Sequence, residues 1–173
     1  MNSRIRITLN IFFPVLVLII FNYFEFRIDL TEDKIYTLNT STKKTLKKLD
    51  RPIKIDFFLN GKLPVNIVRL RRETQKLIEI MKSHTDNIII NQIYPFEYST
   101  NSKKVVNEMS DYGLFPEFSI SNKNQAIQSN IYFPWLILND ENKSVKVSLL
   151  DKKLGDDEKL KIDRSISKLE YKI

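Results

Sequence analysis

Near its start the chain carries a long, uncharged and mostly apolar block and then shifts to shorter, alternating periods. Residues 7–24, ITLNIFFPVLVLIIFNYF, carry no charge. Their length is close to the ~20 apolar residues a helix needs to cross a ~30 Å hydrocarbon core. Asn10, Pro14 and Asn22 interrupt the block; Pro14 lies in its first half, where a bilayer helix tolerates a kink better than a soluble one does. Arg4 and Arg6 precede it, and Glu25, Arg27 and Asp29 follow. That asymmetry places the N-terminus in the cytoplasm and the bulk of the chain outside. Phe21, Tyr23, Phe24 and Phe26 suit an aromatic belt at the outer interface. No Ala, Gly or Ser follows in FNYFEFRIDL, so the segment reads as an uncleaved anchor rather than a signal peptide.

Past the anchor, RIDLTEDKIYTLN (27–39) reads as an extended connector. Asn39 or Ser41 caps a short helix through TKKTLKKLD, with Leu46 and Leu49 as its apolar side and Pro52 as its stop. IKIDFFL (53–59) has strand composition, and NGKLP (60–64) has the punctuation of a turn. Residues 65–83 place Ile67, Leu70, Leu77, Ile78 and Met81 on one helical face, with Thr74 neutral within it. IIINQIYP (88–95) predicts a second strand, more buried because of its three isoleucines. NSKKVVNEMSDYG (101–113) predicts a short helix closed by Gly113.

PEFSIS (116–121) predicts a strand, NKNQ a turn, and AIQSNIYFPWLILN (126–139) a further strand. Pro134 inside it implies an edge position, a bulge or an irregular start. DENK (140–143) turns into SVKVSLL, which sets Val145, Val147 and Leu149 on one face. The closing helix, 158–173, carries Ile162, Ile166, Leu169 and Ile173 at helical spacing. The expected fold is therefore α/β: a thioredoxin-like mixed sheet (βαβ-α-ββ-α) preceded by one N-terminal transmembrane helix. Its parts are a cytoplasmic 1–6, the anchor 7–24, a connector and short helix over 25–51, and the sheet domain over 52–173. A right-handed crossover makes the first two strands parallel, and the hairpin strands run antiparallel. Strand 116–121 is an addition to that scheme, or else pairs with 126–132.

Composition narrows the chemistry. The chain has no cysteine and one histidine, His84, which removes disulfides, thiolate chemistry, Cys-ligated zinc and multi-histidine metal sites. Lys and Arg number 28 against 21 Asp and Glu, a formal net charge of +7. The densest basic run is RLRRE (69–73) with Lys76, where Glu73 and Glu79 offer helical ion pairs. Arg69 and Arg72 are candidate partner contacts on that solvated face, and nucleic acid is not expected as a partner outside the cytoplasm. KKTLKK (43–48) reads the same way, with a lipid surface nearby. Carboxylates cluster at Asp29, Glu32 and Asp33, and again over 151–158, without facing one another in a catalytic pattern.

His84 sits at a helix end with no serine elbow in sight. NGKLP occupies the strand–helix turn where a thioredoxin-like protein carries its redox cysteines, and Gly61 alone is far short of a phosphate-binding loop. Gly61, Lys62 and Pro64 remain a candidate ligand loop. The aromatics around Pro95 (Tyr94, Phe96, Tyr98) and Pro134 (Tyr132, Phe133, Trp135) read first as packing and second as a partner surface. No catalytic residue, metal or cofactor is expected, and the chain reads as a non-enzyme.

The run RIDLTEDKIYTLNTSTKKTLKKLDRPIKIDFFLNGKLP (27–64) resembles the start of the periplasmic part of the GldG family. RLRRETQKLIEI, YFPWLILN and ISKLEYKI are similar to later segments of that family in the same order. Ile35 stands where arginine is common in it. The resemblance implies an accessory subunit of an ABC transporter associated with bacterial gliding motility. Such a subunit sits in the inner membrane with a permease and an ATPase as partners. Asp29, Glu32, Asp33 and Lys34 of the DLTEDK segment become candidate partner contacts. The alternative is a periplasmic solute-binding module, its ligand near NGKLP or the Tyr94–Tyr98 stretch. The family continues into a further periplasmic domain and a C-terminal membrane helix, so the resemblance also implies a longer whole.

Overall fold

Local sequence chemistry accounts for where each element begins. Asn39 Oδ1 accepts from the Thr42 amide (2.9 Å) and so caps α1, Thr40–Lys47. The helix ends at Lys48, ahead of Pro52 rather than at it. Strand β1, Ile53–Phe57, leads through the NGKLP turn into α2, Val65–Lys82. The predicted face of α2 is the buried one: Ile67, Leu70, Thr74, Leu77, Ile78 and Met81, joined by Glu73. Thr74 is tolerated there because its hydroxyl donates to the Leu70 carbonyl one turn back (2.8 Å).

The remaining elements are β2, Ile88–Gln92; α3, Ser102–Asp111; β3, Glu117–Lys123; β4, Ala126–Tyr132; β5, Trp135–Asn139; β6, Ser144–Ser148; α4, Glu158–Ser167; and α5, Leu169–Lys172. The computed structural model describes residues 37–97, 101–123, 126–151, 153, 155 and 157–173. The predicted anchor at 7–24 and the connector up to residue 36 lie outside the described residues. Among the described residues no helix is long and apolar enough to cross a membrane.

The fold is mixed α/β around a four-stranded mixed sheet of order β2-β1-β5-β6. β1 and β2 run parallel, Ile53 opposite Ile88 through Phe57 opposite Gln92. β5 is antiparallel to β1 and β6 antiparallel to β5. Ile55, Phe57, Leu136 and Val147 share one face of this sheet and form the main core with Leu70, Leu77, Ile78, Ile162 and Ile166 from α2 and α4. On the other face Val105 of α3, Leu114 and Phe133 make a second, smaller cluster with Phe58, packed against Trp135 and Ile137.

Three expectations are corrected, and of the two placements open to 116–121 the structure adopts the pairing with 126–132. Residues 126–139 are two strands in two sheets, because Pro134 offers no N–H to a ladder and the chain changes direction there. β4 pairs with β3, from Glu117 opposite Tyr132 to Lys123 opposite Ala126, while β5 enters the centre of the main sheet. The triple isoleucine does not make β2 the more buried strand. It is a sheet edge whose alternation turns Ile88 inward and leaves Ile89 46% exposed. The last helix is broken at Lys168 into α4 and α5, although Ile162, Ile166 and Leu169 keep the predicted buried face.

Candidate functional site

The carboxyl ends of the parallel strands β1 and β2 open into a cleft of about 540 Å³. This is the edge of a parallel α/β pair where ligands commonly bind, since the loops that leave it diverge around a crevice. The β1–α2 turn contributes Asn60, Gly61 and Lys62; the segment after β2 contributes Tyr94 through Glu97. Asn130 and Ile131 of β4 close one side, and Ser102 at the start of α3 another. The NGKLP turn and the aromatic stretch, separate candidates in the sequence, thus meet in one place. Pro64 stands aside from the lining as the N-cap residue of α2, where it makes no side-chain cap. Tyr98 lies outside the described residues.

Asn60 builds the floor. Its side chain is 5% exposed, and Nδ2 donates to the carbonyls of Phe57 (2.7 Å) and Ile93 (3.0 Å). Two carbonyl acceptors fix which end of the amide is nitrogen. They leave Oδ1 as a buried acceptor with no hydrogen-bond partner among the described residues. A buried acceptor in that state costs about 1–3 kcal/mol unless something donates to it. Gly61 follows with φ +93°, a left-handed backbone that turns the chain out of the sheet. Phe96 stacks at a tilt on the buried Phe133, ring centroids 5.7 Å apart, which ties the cleft wall to the second core cluster.

What this set can do is bind. It offers a fixed acceptor, the exposed ammonium of Lys62, the half-exposed Tyr94 ring and the carboxylate of Glu97. Among the described residues no three His, Cys, Asp or Glu side chains come together to hold a metal ion. His84 lies at the α2 C-terminus with Nδ1 against the Ile80 carbonyl (2.9 Å), away from the cleft lining.

The other candidates are dispersed. Arg69 pairs with Asp163 of α4 (2.5 Å), and Arg72 Nε donates to Glu73 (3.1 Å). Glu73, offered by the sequence as a surface partner, is nearly buried and also meets Lys76 (3.7 Å). Asp29, Glu32, Asp33 and Lys34 lie outside the described residues. Of the second aromatic group, Tyr132 and Phe133 are core, and Trp135 Nε1 donates to the Phe115 carbonyl (2.8 Å). Sequence reasoning missed Asn60, whose role depends on a carbonyl 33 positions away.

Residues 32–139 match the family model described as a domain of unknown function, DUF7088, and the chain belongs to that family. The match encloses every residue of the cleft and ends with the last residue of β5. No curated protein and no solved structure matches the chain.

Proposed function

We propose that this DUF7088-family chain is a non-catalytic accessory subunit of an ABC-transporter complex associated with bacterial gliding motility. In this reading it is held in the inner membrane by residues 7–24, with its N-terminus cytoplasmic. A thioredoxin-like periplasmic domain then contacts the permease and its partners. The sheet order β2-β1-β5-β6, with a parallel first pair and an antiparallel second pair, supports the thioredoxin-like reading. β3 and β4 then form an insertion ahead of the last hairpin.

One observation favours protein contact above the rest. Among the described residues the β3–β4 hairpin pairs only with itself and so presents strand edges of its own. Near its base Phe118 is 63% exposed. Unpaired edges beside an exposed aromatic ring are the features through which extended segments of partners add to a sheet. The test is mild-detergent purification of the tagged full chain from its native membranes, with mass spectrometry of what co-purifies. Permease and ATPase in fixed ratio support the reading, and their loss on Phe118→Ser locates the contact. Recovery of the chain alone counts against it.

The second reading is a solute-binding module, favoured by the convergence of NGKLP and Tyr94–Glu97 on the Asn60 floor. A ligand of that cleft raises the melting temperature by an amount set by RT ln(1 + [L]/Kd). A flat response across a metabolite panel argues against it.

A further inference from the structure

The lysines of α1 and its C-cap are four cations within six residues, Lys43 to Lys48, whereas several other cations of the domain are held in ion pairs. Arg69 is bound to Asp163, Arg72 and Lys76 to Glu73, Lys104 to Glu108, Lys161 to Glu117, and Lys168 to Asp151. Lys43, Lys44, Lys47 and Lys48 follow one another within two turns, and none makes an ion pair among the described residues. At about 3.6 residues per turn, Lys44 and Lys48 lie on the side of α1 opposite Leu46, which is buried in the core, Lys47 lies beside them, and Lys43, half-buried, stands one turn before Leu46. Lys44, Lys47 and Lys48 are exposed. Asp50 is the one carboxylate between residues 40 and 52. Lysines in a last helical turn are favoured by the helix dipole, but that does not account for three exposed lysines side by side with no counter-charge among the described residues.

The face is also held in a fixed direction. Asn39 caps α1 and its own amide donates to Glu170 Oε1 of α5 (2.6 Å). Asn87 Nδ2 donates to the Leu49 carbonyl just past the helix (2.7 Å). Both ends of α1 are therefore pinned to the body of the domain, and the lysines point away from it.

We propose that this lysine face adsorbs to the anionic phospholipid headgroups of the membrane that carries the chain, an inference that rests on the anchor reading of residues 7–24. Residues 25–39 link that segment to α1. At 3.3–3.6 Å per residue they span at most about 50 Å, which sets the upper limit of the distance between α1 and that segment. Compact ammonium charges suit a fluid array of phosphates better than a bidentate fork does. No large apolar side chain is exposed on α1, so the contact is electrostatic adsorption without insertion and weakens with salt. Each lysine brought to such a surface strengthens the contact by about fivefold.

The test uses the full chain reconstituted into vesicles of phosphatidylcholine alone, or with phosphatidylglycerol as a third of the lipid. Brief amine acetylation is read by peptide mass spectrometry. Lys44, Lys47 and Lys48 are expected to acetylate several-fold more slowly in the anionic vesicles and to recover at high salt, while the exposed Lys103 and Lys159 do not change. In the triple variant Lys44→Gln, Lys47→Gln, Lys48→Gln, acetylation of Lys43 becomes independent of lipid. Equal acetylation of the α1 lysines in both vesicles overturns the proposal. Retention through an alkaline carbonate wash reads the anchor separately: loss from both vesicle types defeats the anchor, whereas the lipid contrast decides the lysine face.

Discussion

Asn60 and Ile93 are joined across the ends of two parallel strands by a side-chain amide to main-chain carbonyl hydrogen bond of 3.0 Å. The same amide holds the Phe57 carbonyl at 2.7 Å, and the Ile93 amide returns to Phe57 O at 2.9 Å. Three hydrogen bonds therefore close the β1–β2 pair where the ladder stops and the cleft starts. The pin positions the turn that carries Gly61 and Lys62 against the turn that carries Tyr94.

Replacing Asn60 with alanine removes both donated bonds and leaves the Ile93 carbonyl without that donor, while the Phe57 carbonyl keeps its bond from the Ile93 amide. The unpartnered Oδ1 leaves with the amide, so the expected net cost is about 1 kcal/mol. Urea unfolding followed by circular dichroism should show a lower midpoint at unchanged slope, the sign of lost stability without a change in compactness. A midpoint equal to that of the parent chain would mean that the amide does not hold the strand ends together.

Gly61 separates backbone strain from cleft filling. A Cβ added there meets nothing within 4 Å, yet its φ of +93° is one that L residues rarely adopt. Gly61→Ala should cost about 1 kcal/mol through conformation alone and leave the cleft open. If thermal melting of the variant matches the parent, the turn has relaxed to another backbone.

Much of this architecture is legible in the residue pattern, for physical reasons that also explain the exceptions. The buried face of α2 is readable because Ile67, Leu70, Leu77, Ile78 and Met81 repeat at the helical period, and a periodic signal survives any tertiary arrangement. The caps at Asn39 and the left-handed Gly113 are equally local. What failed was non-local. Whether Pro134 bends one strand or separates two depends on β1 claiming Trp135–Asn139 as its neighbour. Whether Ile89 is buried depends on there being no strand beyond β2 among the described residues. Asn60 reads as a turn residue in NGK, and only the fold brings the Ile93 carbonyl to it.

The end of β6 supplies a pH test. Asp151 pairs with Lys168 (2.5 Å), and the hydrogen bond from that ammonium holds the Asp151 carboxyl below the ordinary carboxylate range. A carboxyl depressed in the folded state contributes stability that is present above its unfolded value, near pH 4, and is lost as pH falls through the folded value. Asp151→Asn should therefore be less stable than the parent at neutral pH, with the difference shrinking below about pH 4. Thermal melts at pH 7 and pH 3 check this, and a difference constant across that range would exclude the pair as its source.

Tyr132 supplies the opposite sign at the other end of the scale. Burial pushes its phenol up, helped by the nearby carboxylates of Glu117 and Glu158. The unfolded chain ionises tyrosine near pH 10, whereas the folded chain keeps this proton. The contribution is complete below about pH 10 and disappears as pH rises toward the folded value. Stability should fall from pH 9 to pH 11 more steeply in the parent than in Tyr132→Phe. Parallel curves for the two proteins would place the alkaline loss elsewhere.

The acidic segment behind the predicted anchor separates assembly from folding. Asp29, Glu32 and Asp33 fall within a short span of the chain, and the carboxylates of such a segment suit a basic surface on a neighbouring subunit better than a core. Under the accessory-subunit proposal, Asp29→Asn, Glu32→Gln and Asp33→Asn together should weaken co-purification of the permease and ATPase several-fold. The melting temperature of the domain should stay within the range of a surface substitution, about 0.5 kcal/mol. Phe118→Ser gives an independent comparison, because it acts on the hairpin rather than on the connector. Loss with both variants describes a partner that grips the domain at two places, and loss with one alone identifies the docking element. Unchanged co-purification with the acidic triple variant would remove the DLTEDK segment from the assembly surface and leave the hairpin as its remaining candidate.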